Sequence, residues 1–185
     1  MSLRRGFKAE AEWYARDVRQ SLGLEACAPL CPWALADHLG YAACSLGEFA
    51  DAHPGEVALL RRRTGPSGFS AITVCWGENR LIVVNDGHAA TRQAADVAHE
   101  LAHGLLMHEP MPLLGANRSR HYNEVQEEEA HWLGPALLVP YEAALRIARE
   151  RLPTPDAAAR FKVSSRLMEM RLRVTGVLRR VRATA

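Results

Sequence analysis

His99-Glu100-Leu101-Ala102-His103 places two imidazoles four residues apart, with a carboxylate directly after the first. On a helix, residues four apart stand one above the other, so both rings can reach one metal ion. Glu100 is then set to act on a water held by that metal rather than to ligate it. With eight His in the chain, this HExxH pattern arises by accident about 0.03 times per chain of this composition, so its surroundings decide its weight.

The motif needs a helix, and the sequence supplies one. Asn85-Asp86-Gly87 reads as a turn, and a helix follows from about 91 to 107, with Ala94, Ala98, Leu101 and Leu105 as its buried stripe and Pro110 and Pro112 as its stop. Catalytic zinc takes three protein ligands and keeps one position open. His99 and His103 supply two. A second helix, from about 123 to 138, opens on Asn123 as a cap and carries Glu127-Glu128-Glu129. Its apolar positions are Val125, Trp132, Leu133, Ala136 and Leu137, and Glu129 shares that face four residues after Val125. A carboxylate on a buried face needs a partner or a metal, so Glu129 is the expected third ligand. Glu127 and Glu128 read as a solvated helix N-terminus, where carboxylates suit the dipole. His108, five residues after His103, lies off its helical face and reads as a helix-end residue. An extended HExxH motif with Gly and His at 106 and 109 is excluded by Leu106 and Glu109.

The remaining elements must hold these helices. Phe7, Ala11, Tyr14, Val18 and Leu22 form an amphipathic stripe ended by Gly23, and Pro32 to Leu39 forms a short helix bounded by Gly40. Strands are expected at 41–46, 56–62, 69–76 and 80–85, the last two joined as a hairpin through Gly77-Glu78-Asn79. The strand at 80–85 could offer an edge to an extended substrate. Short helices are expected from Thr154-Pro155 and from Ser165 onward. Strands followed by helices, without alternation, argue α+β.

Two segments now resemble a known family. Arg92 to Leu106 (RQAADVAHELAHGLL) and Glu127 to Pro140 (EEEAHWLGPALLVP) look like the paired motifs of the ImmA/IrrE metallopeptidases. The opening helices, the strand at Ile82–Asn85 and the segment Ala158–Gly176 are also similar to that family. The resemblance implies a zincin-like α+β domain, a small twisted sheet packed on helices, over 1–150. Over 151–185 it implies a helix-turn-helix-like pair. It implies a Zn2+ endopeptidase with His99, His103 and Glu129 as ligands and Glu100 as general base. Members commonly cleave a DNA-binding repressor of a mobile element or stress response, so a protein substrate of that kind is expected. His131 stands where the family usually has Asn, and Gly134-Pro135 replaces Ala-Ala. Pro135 should kink the helix after Glu129. Candidates for stabilising an oxyanion are His88, His121 and Tyr122.

Charge and composition bound the alternatives. Net charge is +2, but Arg160, Lys162, Arg166, Arg171, Arg173, Arg179, Arg180 and Arg182 face one acid, Glu169, near the C-terminus. A DNA-binding module is therefore a second reading, with Ala157–Phe161, a turn at 162–164 and a helix from Ser165. That helix would turn Leu167, Met170, Val174 and Val177 inward and leave Arg166, Arg171, Arg173 and Arg180 outside. A third reading is a regulatory protein that holds a repressor without cutting it. No apolar run approaches the ~18 residues of a membrane span, and no apolar segment follows the basic N-terminus, so a cytoplasmic protein is expected. Cys27, Cys31, Cys44 and Cys75 lack zinc-site spacing and read as small core residues.

Overall fold

The computed structural model describes residues 3–62, 69–109 and 123–183. Its elements in chain order begin with α1 (Phe7–Ser21), α2 (Pro32–His38), β1 (Tyr41–Ser45), a 3-10 turn (Leu46–Phe49) and α3 (Pro54–Arg62). β2 (Ala71–Trp76), β3 (Asn79–Val84), α4 (Ala90–Leu105) and α5 (Glu124–Leu138) follow. The chain ends in α6 (Tyr141–Glu150), α7 (Thr154–Phe161), α8 (Ser165–Val174) and α9 (Val177–Ala183). A small sheet beside many helices is a mixed α+β arrangement.

The sheet has the order β1-β3-β2, with β1 parallel and β2 antiparallel to β3. β3 is therefore central, and the expected edge at 80–85 does not exist. The free edges among the described residues belong to β1 and β2. The unbroken run Leu81–Val84 is what a strand covered on both faces needs. Ile82 and Val84 enter one apolar cluster with Val97 and Leu101 of α4, while Val83 enters another with Leu46, Val57 and Phe69. At the end of β3 the buried Asn85 donates from Nδ2 to the Phe69 carbonyl (2.8 Å) and accepts from Gly87 N (3.0 Å). Those bonds close the hairpin base and turn the chain into α4.

Segment 56–62 is helix, not strand. Pro54 suits a first helical turn, and Ala, Leu and Arg are good helix formers. Val57 is buried and Leu60 half-buried against the same cluster, three residues apart on one helical face. The helix α6 has no counterpart among the expected elements, although Ala143, Ala144, Ile147 and Ala148 bury the stripe that would have shown it. Of the cysteines expected in the core, Cys31 and Cys75 are exposed, whereas Cys27 and Cys44 are half-buried against the apolar clusters.

The C-terminal helices join the core that carries the motif helix. Ala98 of α4 and Leu138 of α5 share a buried cluster with Ile147, Phe161, Met168, Leu172 and Val177. On α8 the inward stripe is Met168, Arg171 and Leu172, so Arg171 is not an outward cation. Its guanidinium donates to the Val139 carbonyl (2.8 Å) and pairs with Glu12 (2.5 Å). Arg19, also fully buried, donates to the carbonyls of Ala15, Ala28 and Leu138. Burial pushes the Arg19 pKa down to about 10. The two arginines thus satisfy successive carbonyls, Leu138 and Val139, where α5 gives way to α6. No described helix is long and apolar enough to cross a membrane.

Candidate metal centre

α4 delivers the pair of imidazoles as its periodicity requires. The Nε2 atoms of His99 and His103 lie 3.2 Å apart, and the apolar stripe Ala94, Val97, Ala98, Leu101, Ala102 faces the core beneath them. α5 packs alongside. The contact is close because residue 134 lacks a side chain: a Cβ there would sit 3.2 Å from His99 N and Cα and 3.3 Å from Ala98 C. Counted from Glu127, Ala130 and Gly134 follow at three and seven residues along one helical face. The face that touches α4 at Gly134 therefore presents Glu127, two turns earlier, to the imidazoles.

The carboxylate that converges is accordingly Glu127. One of its oxygens is 3.3 Å from His99 Nε2 and the other 3.5 Å from His103 Nε2. His99, His103 and Glu127 form the group of metal-competent donors found among the described residues, all within 4.8 Å of one another. Glu129, the expected ligand, instead accepts from Arg4 Nε at 2.7 Å and lies 3.2 Å from His108 Nε2. The expectation failed at its anchor: Val125, which fixed the buried face, is 59% exposed. The buried face of α5 runs through Glu129, Ala130, Leu133, Gly134, Ala136 and Leu137. Glu129 is buried as expected, but it faces the segment before α1 rather than the two rings.

The site's electrostatics suit a cation. Burial, then the neighbouring His99, pushes the His103 pKa down to about 4, leaving its ring neutral with a lone pair to offer. A hydrogen bond from His99 holds Glu127 below the usual carboxylate range, so it is ionised. The 3.2 Å between the two Nε2 atoms and the 3.3 Å from His99 Nε2 to one Glu127 oxygen are close to the edge of a tetrahedron with bonds of ~2.0–2.1 Å, about 3.3–3.4 Å. Two neutral imidazoles and one carboxylate also form the donor set zinc accepts.

Around these donors stand residues with other parts. Glu100 accepts a 2.6 Å hydrogen bond from the Thr73 hydroxyl of β2, and burial raises its pKa. The nearby Glu127 carboxylate raises it further. Thr73 was not singled out in the sequence, although strand alternation puts one face of β2 toward α4. His131 does not join the donors. Its Nδ1 donates to the Glu127 carbonyl at 2.7 Å, and its largely exposed ring stacks edge-on against His99. α5 continues through Pro135 to Leu138. His88 lies at the entry to α4, with Nδ1 3.6 Å from Asp96. His121 and Tyr122 lie outside the described residues.

The sequence model of a peptidase family, M78, described as the IrrE N-terminal-like domain, matches residues 53–173. No curated protein and no solved structure matches the chain.

Proposed function

Because the chain belongs to the IrrE N-terminal-like family of M78 peptidases, we propose that it is a zinc-dependent endopeptidase that hydrolyses a bond in a regulatory protein. The observation that carries this reading is the convergence of His99, His103 and Glu127 at donor separations of 3.2–3.5 Å. These three would hold the metal. When bound, zinc supplies Lewis acidity, which polarises a scissile carbonyl and brings the pKa of a coordinated water to ~7.

The chain's own groups do the rest. Glu100 takes the proton from the attacking water and returns it to the leaving amine. Its raised pKa brings it nearer the range in which both transfers are efficient. Thr73 donates to one oxygen of Glu100 and so fixes the carboxylate's rotamer. Of the two sheet edges free among the described residues, that of β2, the strand that carries Thr73, is the one we assign to pairing with an extended peptide.

The substrate class is a DNA-binding repressor, a choice that rests on the resemblance of the two motifs. A direct DNA-binding role is disfavoured because Arg171 is consumed inside the protein. The test is cleavage of a candidate repressor by wild type and by Glu100→Gln. About one zinc per chain is expected in both, with cleavage lost by at least about 100-fold in the variant. Equal cleavage by the two proteins would refute the mechanism. A stable complex with uncut repressor would identify a holding protein instead.

A further inference from the structure

α4 ends in a way that brings a third histidine back to the site. Leu106 closes the helix, and Met107 adopts a left-handed conformation with φ of 51°. Met107 N donates to Gly104 O and His108 N to His103 O, both at 3.0 Å. This is the paired bonding of a Schellman turn. It folds residue 108 against residue 103 although their spacing along a helix would separate them.

The result is a chain of contacts behind the metal donors. His103 Nδ1 meets His108 Nδ1 at 2.9 Å, His108 Nε2 meets a Glu129 oxygen at 3.2 Å, and the other Glu129 oxygen accepts from Arg4 Nε at 2.7 Å. His108 and Glu129 have side chains only 7% and 9% exposed. Two neutral rings facing each other through Nδ1 can share one proton in two ways. If His108 carried it, its Nε2 lone pair would face the Glu129 carboxylate, and His103 would hold a proton on Nε2, aimed at the donors. If His103 carries it, His108 Nε2–H donates to Glu129, and His103 Nε2 is left as a free lone pair among the donors. Carboxylates stand at both ends, Glu127 3.5 Å from His103 Nε2 and Glu129 3.2 Å from His108 Nε2, and the shorter, more buried contact favours the second arrangement.

We infer that Glu129, acting through His108, is a positioning residue that fixes His103 in the tautomer able to bind metal, with Arg4 holding Glu129 in place. The inference rests on the metal-site reading proposed above. Partners of this kind typically change metal affinity 10- to 100-fold when removed. Glu129 thereby receives a role other than ligation.

The test uses full-length protein labelled with 15N in its histidines. Ring nitrogen shifts at pH 7.5 are expected to place the proton of His103 on Nδ1 and that of His108 on Nε2, before and after zinc addition. In Glu129→Gln the amide can accept or donate, so the zinc-free His103 is expected to become a mixture of tautomers. Zinc affinity, measured by competition with a chromophoric chelator, should fall about 10- to 100-fold in Glu129→Gln and in His108→Phe, with stoichiometry still one per chain. A proton on His103 Nε2 in the zinc-free wild type overturns the inference. So does unchanged zinc affinity in both variants, or a Glu129→Gln that behaves as the loss of a direct ligand while Glu127→Gln keeps its zinc. A wild type that binds no zinc yet shows the stated tautomers would instead defeat the peptidase reading and leave the relay standing.

Discussion

α4 and α5 contribute to the same site in opposite ways. On α4 the two imidazoles sit on one helix, so the helical repeat alone fixes their 3.2 Å approach. On α5 the choice among three consecutive glutamates depends on how the helix is rotated against its neighbours. That rotation is set by Gly134 against the His99 backbone and by Leu133 and Leu137 in the core. A ligand pair within one element is a local property, whereas a ligand from a second element belongs to the packing.

The strongest break in this contrast is Glu127→Gln. It should weaken zinc binding by about 100-fold or more, close to the effect of removing either imidazole, as read by chelator competition. Glu128→Gln should leave affinity unchanged. A Glu127→Gln protein that binds zinc as wild type does would return the choice of carboxylate to the other two.

Gly134→Ala addresses the packing itself. The added Cβ must push α5 from α4 by a few tenths of an ångström, because what it meets is backbone. Such overpacking is expected to cost about 1–3 kcal/mol in chemical denaturation and to weaken zinc binding alongside. Loss of stability with full zinc affinity would mean that the helix contact does not set the position of Glu127.

Acid tests the imidazole side. The folded His103 pKa lies near 4, below its ordinary value of 6.5. Between those values the unfolded chain takes up the proton that the folded chain refuses, so metal-free stability falls as pH drops through this window. His103→Gln should flatten that part of the curve. Glu127, held below its ordinary range, adds a loss only at lower pH, as its own carboxylate protonates.

The smallest expected effects lie at the ends of the two helices. Met107 holds a left-handed conformation while exposed, so Met107→Gly should stabilise the chain by up to about 1 kcal/mol without changing zinc affinity. Val125→Ser should be neutral within about 0.5 kcal/mol, since the side chain is on the surface.

Much of this was legible in the sequence. The stripe of α1, the Pro32 helix, the hairpin and both long helices follow from periodicity and from Pro, Gly and Asn punctuation. His99 and His103 converge as their spacing requires. Segment 56–62 misled because Val-Ala-Leu-Leu fits a buried strand as well as a helical face, and only its partners decide. Glu129 misled because burial alone does not reveal a carboxylate's partner; here the partners, Arg4 and His108, come from far along the chain and from a left-handed turn. Arg171 was hidden for the same reason, since an arginine on an apolar stripe is read as solvated until its carbonyl and carboxylate acceptors are in view. Thr73 needed the register of β2 against α4, which no local pattern encodes.

The most direct measurement is a diffraction experiment at the zinc absorption edge on crystals of the zinc-loaded protein. One anomalous peak is expected within ~2.0–2.2 Å of His99 Nε2, His103 Nε2 and a Glu127 oxygen, with Glu129 still on His108 and Arg4. A peak ligated by Glu129, with the Glu127 side chain turned away, would contradict the account.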